Sequence, residues 1–232
     1  MNEVFPGSQP PDKILLQTGI IREKMNWKDL RVLHQAGVSR HIENNKVIHV
    51  TGTVNRYLYF LQKGMMKIST LTEDGNEVIK SIIREGEFFG ELSLLGSEGD
   101  PQEVAVAMGC CEVCLVRSET VRQLMATNEC LCRNINEIIG RRIRRNEKRM
   151  LSLMVKDVKG RILDFLKEFV TEFGYPVEGG YKAKNFLTHW EIASITATSR
   201  QSVTTSLTQF RKKGLIDYNT NTVCVFDISN SR

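Results

Sequence analysis

Arg200, Gln201, Thr204 and Thr205 lie close together near the C-terminal end of the chain, and their types suit the reading of base edges. A guanidinium reaches the O6 and N7 acceptors of guanine, a Gln amide pairs bidentately with N6 and N7 of adenine, and a Thr methyl packs against thymine. Side chains do this from the outer face of a helix whose N-terminal part enters a major groove. The flanking residues predict such a helix. Ser199 is placed to cap it, Val203, Leu207 and Phe210 form its inward stripe, Arg211, Lys212 and Lys213 follow, and Gly214 ends it. Upstream, Thr188 and Glu191 have the T-x-x-E spacing of a capping box, so another helix starts near His189 and turns Ile192, Ala193 and Ile195 inward before Thr196-Ala197-Thr198. Leu187–Asp217 therefore reads as a helix-turn-helix. Its expected DNA-facing residues are Thr188, His189, Ser199, Arg200, Gln201, Ser202, Thr204 and Thr205, and the expected partner is double-stranded DNA.

The remaining elements must carry and control that pair of helices. With 232 residues, 41% of them hydrophobic, the chain can hold two domains, each with its own core. A net charge of +5 suits a polyanionic partner but is mild. Asn2–Asp12, rich in Pro, Gly and Ser, reads as a loose arm. Between about Ile42 and Arg117 come short strands beginning at Val47, Tyr57, Met65, Glu77 and Glu103. They are punctuated by Thr51-Gly52, Lys63-Gly64, Asp74-Gly75 and Glu85-Gly86, the pattern of an antiparallel sandwich or roll. From Ser118 onward the apolar spacing becomes helical. No secretory leader is evident and no apolar run approaches the ~20 residues that span a bilayer, so a cytoplasmic protein without a membrane partner is expected.

From about Asn128 to Val155, Cys132, Ile135, Ile139, Ile143, Asn146, Met150 and Leu153 recur at threes and fours, a stripe suited to a partner helix. Asn146 is the candidate for fixing register through an Asn–Asn hydrogen bond. Arg141, Arg142, Arg144, Arg145, Lys148 and Arg149 around the stripe read as a solvated face.

The six cysteines are clustered and unevenly spaced, which predicts thiols rather than a disulfide framework. Cys111 and Cys114 form a C-x-x-C, but on a strand residues three apart point to opposite faces, so one metal would not suit both. A buried thiol pair is the plain reading, with a thiol-based redox sensor or redox enzyme as the alternative. His34, His41, His49 and His189 are scattered. No P-loop, G-x-S-x-G, H-E-x-x-H or strand-then-helix G-x-G-x-x-G occurs, so neither catalytic residues, a metal nor a cofactor is expected.

These parts in this order resemble the cAMP receptor protein/fumarate-nitrate regulator (Crp/Fnr) superfamily of bacterial transcription factors. The resemblance rests on REGEFFGELSLLG at Arg84–Gly96, CEV at Cys111–Val113, DVKGRIL at Asp157–Leu163 and the helix-turn-helix. It implies an α+β fold with an antiparallel, cyclic-nucleotide-binding-like β-roll sensor over 1–120, a long dimerisation helix over 121–155, and a winged helix-turn-helix over 156–232. The wing would lie around Tyr218–Phe226. It further implies a homodimer on a near-palindromic site, with RNA polymerase as a partner if the protein activates, and a dimer seam through Ile135, Ile139, Ile143, Asn146, Met150 and Leu153. The effector pocket would comprise Gly90, Glu91, Leu92 and Ser93 with Pro101, Gln102, Asn146 and Glu147. Gly90-Glu91-Leu92 match the phosphate- and ribose-binding turn of cyclic-nucleotide-binding members. Pro101 and Gln102, however, stand where those members place an Arg and a small hydroxyl residue, and Asn146 and Glu147 where the cAMP receptor protein has an adenine-contacting Thr-Ser pair. Proline offers neither charge nor an N–H, and each lost charge-assisted bond is worth ~1.5–3 kcal/mol. The expectation is an unknown small-molecule effector other than cAMP, or none, with a cyclic-nucleotide response as the alternative.

Overall fold

A computed structural model of the chain describes residues 27–49, 56–73, 77–94 and 103–226. The expected arm at Asn2–Asp12 and the turns at Thr51-Gly52 and Asp74-Gly75 lie outside them. Helix α1 (Trp27–Ala36) precedes eight strands: β1 (Val38–Ile42), β2 (Val47–His49), β3 (Tyr57–Lys63), β4 (Met65–Leu71), β5 (Glu77–Arg84), β6 (Phe88–Phe89), β7 (Glu103–Ala107) and β8 (Cys111–Arg117). They form two four-stranded sheets, ordered β1-β8-β3-β6 and β2-β7-β4-β5, with antiparallel pairing throughout. Strand alternation divides the apolar residues between two cores. Leu61, Met66, Ile83 and Val113 fill the space between the sheets, whereas Leu58, Phe60, Phe88 and Val116 point the other way, toward the helices that follow. Strands β1 and β6 escaped the pattern because β1 is almost wholly exposed and β6 is only two residues long.

Helix α2 (Ser118–Thr127) and the front half of α3 (Glu129–Val155) complete that second core through Val121, Leu131, Ile135 and Ile138. A boundary at residue 120 thus falls inside α2, and the roll's core continues into α3. Asn128 starts α3 by accepting from the Leu131 N–H at 3.1 Å, and the helix then extends for about 40 Å. After Lys156, the Asp157 carboxylate caps α4 (Val158–Phe173) by accepting from Gly160 N–H at 2.8 Å.

The C-terminal part comprises α4, β9 (Tyr175–Val177), β10 (Gly180–Lys184), α5 (His189–Thr196), α6 (Arg200–Lys212), β11 (Ile216–Tyr218) and β12 (Thr222–Phe226), with sheet order β11-β12-β10-β9. The wing predicted around Tyr218–Phe226 is the β11–β12 hairpin; β9 and β10 extend its sheet. Ile162, Leu166, Phe169, Ile192, Val203, Leu207, Phe210 and Val225 close the core, each contributing about 1.5–3 kcal/mol by leaving water. Segregated helices on antiparallel sheets make this an α+β fold. No helix among the described residues is long and apolar enough to cross a membrane.

Candidate DNA-reading helix and effector cavity

The turn between α5 and α6 is built by local chemistry. Thr188 Oγ1 accepts from Glu191 N at 3.2 Å, and Glu191 Oε2 accepts from Thr188 N at 2.8 Å, so both halves of the capping box form. Thr198 N–H reaches back to Ala193 O at 3.0 Å because Ala197 adopts a left-handed conformation, φ 50°. A non-glycine residue there costs roughly 1–2 kcal/mol, offset by the helix contacts on either side. Ser199 Oγ accepts from Ser202 N at 3.1 Å and lies 2.9 Å from Ser202 Oγ, so both serines serve the cap of α6. At the other end Gly214, φ 69°, closes α6 in the conformation glycine favours.

Val203, Leu207 and Phe210 are buried, while Arg200, Gln201, Thr204 and Thr205 lie exposed on the opposite face of α6. Thr204 Oγ1 donates to Arg200 O at 3.0 Å and lies 2.9 Å from His189 Nδ1, so it accepts from the Nδ1–H tautomer of that imidazole. Burial, reinforced by the charge of Arg200, holds the His189 pKa below its ordinary value. His189 is therefore a neutral strut between the helices. Thr188 and His189 stand at the start of α5 as expected, but their side chains are engaged in capping and bracing.

The second site lies against α3. Gly90, φ 81°, turns the chain into a 3₁₀ turn at Glu91–Leu94. Glu91 pairs with Arg142 of α3 at 2.9 Å, and Arg142 also donates to Phe88 O and lies 4.9 Å from the centroid of the Phe88 ring. A cavity of about 600 Å³ opens there between β5, the turn, α3 and α4. Its lining includes six cations and six carboxylates, most of them already matched. Lys80 meets Glu103 at 2.9 Å, Arg145 meets Glu172 at 3.3 Å, and Lys148 meets Glu168 at 2.6 Å.

Residues 39–128 match the model of the cyclic nucleotide-binding domain, and residues 160–230 that of the Crp-like helix-turn-helix domain. The chain is 32% identical over 184 residues to the global nitrogen regulator of Nostoc sp., covering 79% of this chain and 82% of that one. It belongs to the Crp/Fnr family of transcription regulators. The cAMP-activated global transcriptional regulator CRP of Salmonella typhimurium is 27% identical over 198 residues, 84% of this chain and 91% of that one. A solved structure of a CooA mutant from Carboxydothermus hydrogenoformans superposes with a TM-score of 0.74 at 19% identity, covering 86% and 87% of the two chains.

Two of the residues expected at a Crp/Fnr effector site, Ser93 and Glu147, stand elsewhere. Gly90, Glu91, Leu92 and Asn146 line the cavity. Ser93 does not: it is buried, donating to Tyr57 O at 3.3 Å and accepting from Ser118 Oγ at 2.7 Å, which anchors the turn. Glu147 is exposed and does not line the cavity. Pro101 and Gln102 lie outside the described residues. The basic cluster is only in part a solvated face. Arg142 and Arg149 point inward, because backbone carbonyls draw their guanidinium groups from water, whereas Arg145 and Lys148 stay exposed while pairing with Glu172 and Glu168 of α4. Their recurrence at 142, 145, 149 was the available signal.

The expected seam divides in the same way. Ile135 is 0% exposed in the chain's own core and cannot meet a partner, and Ile139 packs against that core. Ile143 and Met150, each 53% exposed, Leu153 at 45%, and Met154 at 73% remain on the surface. The cysteines separate as strand geometry requires: Cys111 lies between the sheets and Cys114 in the core under the helices. Burial pushes both thiols up, the reverse of what a reactive thiolate needs. Among the described residues no three His, Cys, Asp or Glu side chains gather as a metal site.

Proposed function

We propose that this transcription regulator binds double-stranded DNA in the cytoplasm as a homodimer on a near-palindromic operator, controlled by an effector other than cAMP or by none. The observation that carries the reading is the open face of α6, where Arg200, Gln201, Thr204 and Thr205 stand exposed on a fully capped helix pair. A second copy is favoured by the uncovered apolar residues along the rear half of α3, Ile143, Met150 and Met154 among them. In this reading 1–120 is the sensor, 121–155 the dimer helix and 156–232 the winged helix-turn-helix; RNA polymerase is a partner if the protein activates. The raised thiols of Cys111 and Cys114 speak against a redox enzyme.

Duplex binding at a series of salt concentrations tests the function. Each phosphate neutralised contributes a slope of about −0.9 in log K against log salt, so a dimer making six or more such contacts weakens about 10³-fold or more between 50 and 200 mM. Binding that ignores salt would refute the reading. The effector assignment has its own test. Arg142 is already held by Glu91 and Phe88 O, and Pro101 replaces the family's phosphate-binding Arg. Calorimetry with cAMP is expected to show no saturable binding tighter than about micromolar, since each absent charge-assisted bond costs ~1.5–3 kcal/mol; a tight isotherm would restore the cyclic-nucleotide alternative.

A further inference from the structure

Strand β5 is the edge of its sheet, and the DNA-binding part closes over its outward-facing backbone. Ser194 of α5 accepts from Ile79 N–H at 2.8 Å and donates to Glu77 O at 2.9 Å, as a neighbouring strand would. Arg149 of α3 donates to Lys80 O at 2.7 Å and Ile79 O at 3.2 Å on the same strand, and also to Ile195 O of α5. Three elements therefore meet on one guanidinium, whose hydrogen bonds all go to backbone carbonyls. Burial lowers its pKa from the ordinary value, with the field of Glu168 opposing the fall. At the far end of β5, Arg84 donates to Glu172 O at 3.0 Å and Glu172 Oε1 at 2.6 Å, fixing the end of α4. This docking covers one side of α5 and leaves the reading face of α6 exposed. It is therefore compatible with DNA and constrains where the reading helix points.

We propose that Arg149 and Ser194 form a positioning joint that fixes the helix-turn-helix against sensor strand β5, setting the relative placement of the two reading helices on an operator. The proposal rests on the dimeric DNA-binding reading above. Within a dimer, the second half-site is engaged at an effective concentration set by how rigidly the second domain is held. Loosening the joint therefore weakens binding to a full operator and leaves binding to a single half-site unchanged.

The test uses the full-length chain with Arg149→Met, and with Ser194→Ala, which removes only a hydroxyl, as the second variant. Amide exchange at Ile79, whose N–H the Ser194 hydroxyl accepts, is expected to accelerate in both. Full-operator affinity is expected to fall about tenfold or more while half-site affinity stays within about twofold. Unchanged exchange at Ile79 in both variants overturns the joint. So does a parallel loss on full and half sites, or a full-operator affinity equal to that of the wild type despite faster exchange. If the wild type itself binds no duplex, the functional reading fails, and the exchange measurement still decides whether the docking is held by these residues.

Discussion

Ile143→Glu is expected to yield a monomer that no longer holds a full operator. Ile143 lies midway along α3 at the head of its exposed stripe, seven residues before Met150 and therefore on the same helical face. Where a second copy covers that stripe, two glutamates would be taken out of water in an apolar seam. An unpaired buried charge costs about 3–5 kcal/mol, which weakens dimer association by roughly two to three and a half orders of magnitude. The roll and the helix-turn-helix keep their cores, because Ile143 belongs to neither. Sedimentation with a parallel operator titration measures both consequences. A variant that still sediments as a dimer would remove this face of α3 from the interface.

Arg200→Ala is expected to cost about 1–3 kcal/mol on the preferred operator and to relax the preference for one guanine in each half-site. Arg200 is the cation within the first turns of α6; Gln201 suits adenine, and Thr205 offers a methyl to thymine. In the cAMP receptor protein the corresponding stretch reads S-R-E-T-V-G-R, with a second Arg where Thr205 stands here. The operator should accordingly be richer in A·T. Losing a phosphate-contacting Lys would instead weaken all sequences alike. Binding-site selection from randomised duplexes at fixed salt, with wild type and variant, separates the two effects. An unchanged base preference would take Arg200 off the reading surface.

The helix-turn-helix was legible because it is specified locally. A capping threonine and a glutamate three residues on, a capping serine, and a glycine past the last turn each state a helix end through their own hydrogen bonds. The length of α3 was legible from the recurrence of its apolar residues at threes and fours, from Asn128 onward. Its orientation was not. A stripe at threes and fours spans a broad arc, and the front half of α3 turns one flank of it into the roll while the rear half leaves the other flank open, so Ile135 and Ile143 separate. The inward turn of Arg142 and Arg149 depends on Phe88 O, Ile79 O, Lys80 O and Ile195 O, carbonyls brought from distant segments. A linear pattern records the cations but not those acceptors. The placement of Ser93 away from the cavity was hidden similarly, since its partners Tyr57 and Ser118 flank it only in the folded roll.

The seat of α5 on β5 also bears on solubility. An open strand edge is a template on which other chains add strands, and proteins commonly shield such edges with a charge, a bulge or a covering helix. Here the cover is the DNA-binding part itself, through a hydroxyl that occupies Ile79 N–H and Glu77 O. Whatever swings that part away also bares a sheet edge carrying Val78, Ile79 and Lys80. Retaining the domain is thus expected to protect the roll from strand-to-strand self-association, and a roll cut free of it is expected to be prone to aggregate.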